Sequence, residues 1–252
     1  MADLTEKEYD LAVVIPVYNE QQCIKEVVGS WKDTISKTDI NGKYLIIVLN
    51  DGSTDKTSEA LSAFNKDKNV RIIDKKNEGH GPTILTGYRE AVKVSAWVFQ
   101  CDGDNELKSC DFPHLWNNRL SYDALFGKRT GRVQSLNRKF ISKISALVVN
   151  KLFGGVIADV NIPYRLIRSG IVEKIIKHIP QKTFAPNVLI SGVLSKSRLK
   201  IYEHPVSYEP RKTGTVSLVK FKLWKSAFKA FFQTVVFFFK SGSLIREINS
   251  IR

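Results

Sequence analysis

The sequence predicts an α/β fold in which a mostly parallel sheet is flanked by helices, and two observations carry that expectation. Short apolar runs rich in β-branched and aromatic residues alternate with longer segments whose apolar residues recur at helical spacing. Two of those runs close on acidic clusters, Asn50-Asp51-Gly52-Ser53 and Asp102-Gly103-Asp104-Asn105-Glu106, which gathers carboxylates at one rim of the sheet. In open α/β sheets the rim at the carboxyl ends of the strands is where ligands bind.

The elements follow in order. Residues 11–17 (LAVVIPV) read as a first strand, and Pro16, which has no N–H to give to a ladder, makes it turn or fray near its end. Residues 21–36 read as a helix, 44–49 as a second strand, 54–65 as a second helix, 70–74 as a third strand, 82–94 as a third helix and 97–101 as a fourth strand. Beyond them, 124–128 reads as a strand, 136–152 as a helix, 164–167 as a short strand and 198–206 as another. Strands joined through helices pair in parallel, which is a Rossmann-like arrangement.

The chain of 252 residues is 43% hydrophobic, enough for one large domain with a tail. Cys23, Cys101 and Cys110 have neither the paired spacing of a zinc site nor the number of a disulfide framework, which suits a reducing cytosol. Cys101 reads as a core residue. The first ten residues carry acids and Lys7 with no apolar run, so no cleaved leader is expected. The longest strongly apolar stretch, 230–239, is about half of the ~20 residues that cross a bilayer.

A net charge of +14 is unevenly placed. Residues 196–252 hold twelve Lys and Arg against three Glu, a surplus of nine, and 128–151 holds Lys128, Arg129, Arg132, Arg138, Lys139, Lys143 and Lys151 with no acid. Such fields attract polyanions: nucleotide phosphates, nucleic acid or an anionic membrane face.

The spacing Asp-x-Asp-x-Glu places Asp102, Asp104 and Glu106 within reach of one cation, and hard oxygen donors suit Mg²⁺ or Mn²⁺ serving a phosphorylated substrate. Asp-Gly is also an ordinary turn dipeptide, and either cluster alone reads as a turn. Two of them, each closing an apolar strand in a regular alternation, read as a site.

Taken with Pro16, Tyr18, Asn19 and Glu20 after the first strand, Asp51, Gly52, Ser53 and Asp55 after the second, and Asn77, Gly79 and Gly81 before the third helix, the Asp102/Asp104 strand end resembles the family 2 glycosyltransferases. The four motifs stand in order over about the first 110 residues. Asn50 replaces the first of the two aspartates usual there. The resemblance implies a GT-A fold and a UDP- or GDP-sugar donor. It also implies a nucleotide pocket of Pro16, Val17, Tyr18, Glu20 and Asp51, with Asp102, Gly103 and Asp104 at the diphosphate through the metal.

The later part is similar to the polyprenyl-phosphate sugar synthases, through Gly127-Lys128-Arg129, the basic stretch 138–152, Asp159 with Pro163-Tyr164-Arg165, and Arg211-Lys212-Thr213-Gly214. Pro163-Tyr164 departs from the usual Gly-Phe, and Glu106 stands where Gln is frequent. The resemblance implies a GT-A catalytic domain over 1–210, a basic helical segment over 211–252, and polyprenyl phosphate as acceptor. A lipid phosphate and a nucleotide sugar bring several negative charges into one cleft, which calls for arginines; Arg129, Arg138 and Arg211, with Lys212 beside it, are the candidates. Arg132, Lys139 and Lys143 read as solvated surface.

Asp159 divides two mechanisms. A phosphate acceptor is already an anion, whereas a hydroxyl of a lipid-linked saccharide needs a general base, and Asp159 would be it. No second nucleophile is placed, so single displacement with inversion is expected. On a helical wheel over 221–240, Trp224, Phe228, Phe231, Phe232, Val235, Phe238 and Phe239 share one face beside Lys222, Lys225, Lys229 and Lys240, the pattern of a helix lying in a membrane interface. A core-packing or dimer-forming helix is the competing reading. The expected location is the cytoplasmic face of a membrane, with room for an anchor protein or a second copy as partner and no nucleic acid. A catalytically silent basic module is the reading of another class, and it leaves the acidic motif without a use. His80 reads as a loop residue at a helix N-terminus; His114, His178 and His204 are scattered, structural or at the surface.

Overall fold

A computed structural model describes residues 7–40, 43–130, 147–155, 157–210 and 220–250. Its strands are β1 (Tyr9–Val17), β2 (Tyr44–Asp51), β3 (Val70–Lys75), β4 (Ser95–Cys101), β5 (Ala124–Thr130), β6 (Tyr164–Arg168) and β7 (Ile201–Ser207). They form one sheet in the order β3-β2-β1-β4-β6-β5-β7. Only β6 runs against the others, pairing antiparallel with both β4 and β5. Every residue of β2 is buried, and Leu11 to Ile15 of β1 are fully so, as befits strands covered on both faces.

The helices are α1 (Ile24–Ser36), α2 (Thr57–Ser62), α3 (His80–Val94), α4 (Phe112–Asn118), α5 (Ser169–Lys177), α6 (Pro186–Lys196), α7 (Lys220–Lys240) and α8 (Gly242–Asn249). In α1, Ile24, Val27, Val28, Trp31 and Ile35 recur at the spacing that lines one helical face and are all buried. Trp31 packs on Phe99 of β4 with ring centroids 4.9 Å apart, and Phe99 meets Phe112 at 5.0 Å and Tyr164 at 4.8 Å. This aromatic cluster pins the helix layer to the strands whose ends carry the acidic turn.

Several elements differ from the sequence expectation. Helix α2 is shorter than 54–65, because Asp55 accepts from the Thr57 N–H and holds the entry as a turn. Helices α4, α5 and α6 were not anticipated, while α7 and α8 fall within the helical segment expected over 211–252. In α6, ten of eleven residues are buried, so its sequence carries no polar face to betray a helical period. Of the expected helix 136–152, residues 136–146 lie outside the described residues and Asn150–Gly154 form a π-helical turn.

At the C-terminal end, Phe237, Leu244, Ile245 and Ile248 join the same hydrophobic core as the sheet. Phe238, placed by the wheel on the outer face, turns partly inward, edge-on to Phe153 at 5.0 Å. Phe228, Phe231, Phe232, Val236 and Phe239 remain exposed. Among the described residues no helix is long and apolar enough to cross a membrane.

Candidate active site

Register assembles the rim. Val17 stands opposite Asn50, Asn50 opposite Asp74, and Asp51 opposite Lys75, so the ends of β1, β2 and β3 finish in one row. The loop after β1 is stitched to the loop after β2: Asn19 N–H donates to Ser53 Oγ at 3.0 Å, Thr54 N–H to Asn19 Oδ1 at 2.8 Å, and Glu20 N–H to Thr57 Oγ1 at 2.8 Å. Tyr18 is left facing out, and the Cys23 thiol reaches Glu20 Oε2 at 3.3 Å. Asn50 is buried and donates to Asp74 Oδ1 and Ser58 Oγ at 2.7 and 2.8 Å. An aspartate there would set a carboxylate against Asp74, a repulsion that the amide replaces with a hydrogen bond.

Asp51, expected at the nucleotide, is buried, and both of its oxygens are engaged. Oδ1 accepts from Lys75 Nζ at 2.7 Å and the Glu78 N–H at 3.0 Å, and Oδ2 accepts from the Gly79 N–H at 2.9 Å. Burial alone would push its carboxyl pKa up, but the Lys75 ammonium, the Glu78 N–H and the Thr83 hydroxyl outweigh it and hold the group below the usual carboxylate range. Asp51 thereby organises the Asn77-Glu78-Gly79 loop, and a ligand would use the acceptor capacity left at Oδ2. Lys75 went unnoticed in the sequence; a lone lysine closing a strand beside an acidic strand end is the signal that marks it.

The second acidic cluster folds tightly on β1. A Cβ on Gly103 would stand 3.0 Å from Val17 Cγ2 and 3.3 Å from the Pro16 carbonyl, so the turn lies against the Pro16-Val17 end. Asp104 Oδ1 accepts the Glu106 N–H at 3.2 Å, and the Glu106 carbonyl accepts the Glu209 N–H at 2.9 Å. The segment just before Arg211 and Lys212 is thus tied to the acidic turn, while Arg138, Arg211 and Lys212 themselves lie outside the described residues. Asp102 Oδ1 accepts from Gln100 Nε2 at 3.1 Å and lies 3.6 Å from His80 Nε2, the first residue of α3. Burial pushes the Asp102 carboxyl up, His80 draws it back and the Asp104 charge raises it again.

Among the described residues no three His, Cys, Asp or Glu side chains converge to hold a cation by themselves. The oxygen donors of Asp102, Asp104 and Glu106 fit a hard divalent ion whose coordination is completed by phosphate oxygens, the usual manner for Mg²⁺.

Arg129 and Asp159 come together at the far side of the rim, Nε to Oδ2 at 3.3 Å. The Arg129 side chain is 10% exposed, and its Nε is ion-paired without the alignment of a hydrogen bond. Behind them Arg165 is fully buried. Its guanidinium donates to the carbonyls of Val160, Ile162 and Asn187 at 3.3, 2.7 and 3.1 Å, fastening the turn that carries Asp159. Gln100 and Asn187 escaped the sequence reading, and Arg165 entered it only as the last residue of Pro163-Tyr164-Arg165; a Gln inside the apolar run AWVFQC is the trace the first leaves.

A mostly parallel sheet whose strand ends present acidic side chains on one side and an arginine on the other is suited to a phosphorylated ligand at that rim. The chain belongs to the family described as Glycosyl transferase family 2, which matches residues 12–175. It is 27% identical over 210 residues to an undecaprenyl-phosphate 4-deoxy-4-formamido-L-arabinose transferase of Pectobacterium atrosepticum, covering 82% of this chain and 62% of the relative's length. Glucosyl-3-phosphoglycerate synthase from Mycobacterium tuberculosis, solved with Mn²⁺, UDP-glucose and phosphoglyceric acid, superposes with a TM-score of 0.67 at 15% identity over 91% of this chain and 80% of that one. Residues 1–349 of S. aureus TarS, solved with UDP-GlcNAc, give 0.58 at 15% identity over 86% and 64%. At those identities the likeness is one of fold, the GT-A arrangement.

Proposed function

We propose that this protein transfers a sugar from a UDP- or GDP-sugar to a membrane-borne acceptor, polyprenyl phosphate. The observation that carries the reading is the pairing of an acidic turn, Asp102 to Glu106, with Arg129 across one rim of the sheet. One side suits the donor diphosphate and the other an anionic acceptor. The name of the Pectobacterium relative supports the lipid phosphate.

In this reading the Asp51 loop, with Pro16, Val17, Tyr18 and Glu20, seats the nucleoside. Asp102 and Asp104, with Glu106, would hold Mg²⁺ or Mn²⁺, and a divalent ion there would supply positive charge against the charge growing on the leaving diphosphate. Arg129, oriented by Asp159, pairs with the acceptor phosphate, joined by Arg138, Arg211 and Lys212. An acceptor phosphate oxygen attacks C1, the C1–O bond to the diphosphate breaks, and the nucleoside diphosphate leaves with the electron pair, inverting C1. No general base is needed, because the nucleophile arrives ionised. The exposed aromatics of α7 with Lys229 and Lys240 would rest on an anionic membrane face, on the cytoplasmic side.

The test is label transfer from radioactive UDP- and GDP-sugars into a butanol-extractable product with Mn²⁺ and undecaprenyl phosphate, comparing wild type with Asp104→Ala. Label in the lipid phase from wild type alone supports the reading. Label that appears only with a lipid-linked saccharide transfers the reaction to a hydroxyl and Asp159 to the role of base.

A further inference from the structure

Behind Asp102 runs a chain of buried polar side chains that the reaction as described leaves unused. Tyr88 of α3 places its hydroxyl 3.4 Å from Asn187 Oδ1; Asn187 Nδ2 donates to Gln100 Oε1 at 2.9 Å; Gln100 Nε2 donates to Asp102 Oδ1 at 3.1 Å. Tyr88 and Gln100 are fully buried, Asn187 is 2% exposed, and the Asn187 carbonyl accepts from the buried guanidinium of Arg165 at 3.1 Å. The members come from α3, α6, β4 and β6, three of them distant in sequence from the acidic turn.

The order of this chain is directional. A phenol that gives its proton to Asn187 Oδ1 fixes that amide with its N–H₂ toward Gln100, and Gln100, accepting there, has its own N–H₂ left for Asp102. Burial pushes the Tyr88 hydroxyl pKa up, so it remains a donor. Buried amides in an apolar strand are unfavourable unless satisfied, so each link requires the next.

We infer that Tyr88, Asn187 and Gln100 are positioning residues that lock Asp102 in the orientation in which it receives the donor's cation and diphosphate. One carboxylate oxygen is tied to the fold, and the other is presented to the ligand. The inference rests on the proposed role of Asp102. Partners of this kind behind a metal-binding side chain commonly change metal affinity by about 10–100-fold when removed.

The test titrates the full chain and its Gln100→Leu, Asn187→Leu and Tyr88→Phe variants with UDP and GDP, once with Mn²⁺ and once with EDTA, by calorimetry, and measures kcat and KM for the donor. Gln100→Leu is expected to lose about tenfold of the Mn²⁺-dependent gain in nucleotide affinity, and Tyr88→Phe about threefold, with the affinity in EDTA unchanged. A merely structural role would lower the melting temperature without touching the ratio of the two affinities. Tyr88→Phe keeps the ring and its packing, so it decides the matter if Gln100→Leu or Asn187→Leu fails to fold. Folded variants with the wild-type Mn²⁺ gain overturn the inference. A wild type whose nucleotide binding ignores Mn²⁺ removes the reading beneath it, and the inference with it.

Discussion

Asp159 Oδ2 sits 3.3 Å from Arg129 Nε, so two residues thirty positions apart in sequence form a single ion pair at the β5 side of the rim. The pair is asymmetric. Arg129 is the more buried, and Asp159 stands on a turn that Arg165 holds through the Val160 and Ile162 carbonyls. With its turn fastened by Arg165, the Asp159 carboxylate is placed to aim a different arginine, Arg129.

This geometry predicts non-additive kinetics. Arg129→Ala should lower kcat/KM by about 100-fold and Asp159→Asn by about tenfold, and the double variant should be no worse than Arg129→Ala, a coupling of about 1.4 kcal/mol. Steady-state kinetics on the four proteins provide the cycle. A loss beyond about 100-fold in Asp159→Asn alone would instead mark a general base.

The Asp51–Lys75 pair predicts a stability that depends on pH. Burial raises the Asp51 pKa, but the Lys75 and Glu78 bonds prevail, so the folded carboxyl titrates below the unfolded one. Its contribution is therefore present above the unfolded value of about 3.9 and is lost as pH falls through the folded one. Burial lowers the Lys75 pKa, but Asp51 and Glu78 raise it more, so its contribution is present below about 10.4 and is lost as pH rises through the folded value. Lys75→Met should cost about 3 kcal/mol at pH 7, because it strands a buried carboxylate. Urea melts at pH 7 and pH 3 should show that cost shrinking in acid. A difference equal at both values would deny the pair its role.

How much of this was legible before the structure varies by element for physical reasons. Strands β1, β2 and β4 announce themselves, because strands covered on both faces are apolar along most of their length, and the ends of β2 and β4 carry Asp51 and Asp102 in plain view. The reversal of β6 is invisible, since five residues with the pattern YRLIR look the same in either direction. Arg129 and Asp159 could be nominated singly, yet only the turn fastened by Arg165 brings them together. Gln100 and Asn187 matter through partners 87 residues apart, and no local pattern encodes such a pairing.

Close backbone approach beside the rim gives a steric prediction. A Cβ on Gly81 would fall 2.2 Å from the Thr183 carbonyl oxygen and 2.4 Å from that of Phe184. That loop has little room to retreat, because Gln181 Nε2 donates to the Pro82 carbonyl at 3.1 Å and the Phe184 N–H donates to Gln233 Oε1 at 2.9 Å. Gly81→Ala should cost about 2–3 kcal/mol by overpacking and shift His80, its neighbour at Asp102. Thermal melts read the first effect and donor KM the second. A variant as stable as wild type would mean that the loop yields.

The exposed face of α7 gives the last prediction. Phe237 and Thr234 are buried and Phe238 packs on Phe153, which fixes the roll of the helix and leaves Phe228, Phe232 and Phe239 at 73, 61 and 77% exposure, with Phe231 beside them. Four phenylalanines on one face are out of proportion for a surface in water, and burying each fully is worth about 1.5–3 kcal/mol. Lys229 and Lys240 flank them in exposed positions and supply attraction to anionic headgroups. Replacing all four by Ser should leave the urea midpoint unchanged, because none is in the core, and should weaken flotation with phosphatidylglycerol vesicles by about tenfold or more. Raised salt should weaken the wild type further, through the lysines. If the variant floats like wild type, the face is not a membrane contact; if the wild type sediments as a dimer that the four substitutions dissociate, a second copy covers it instead.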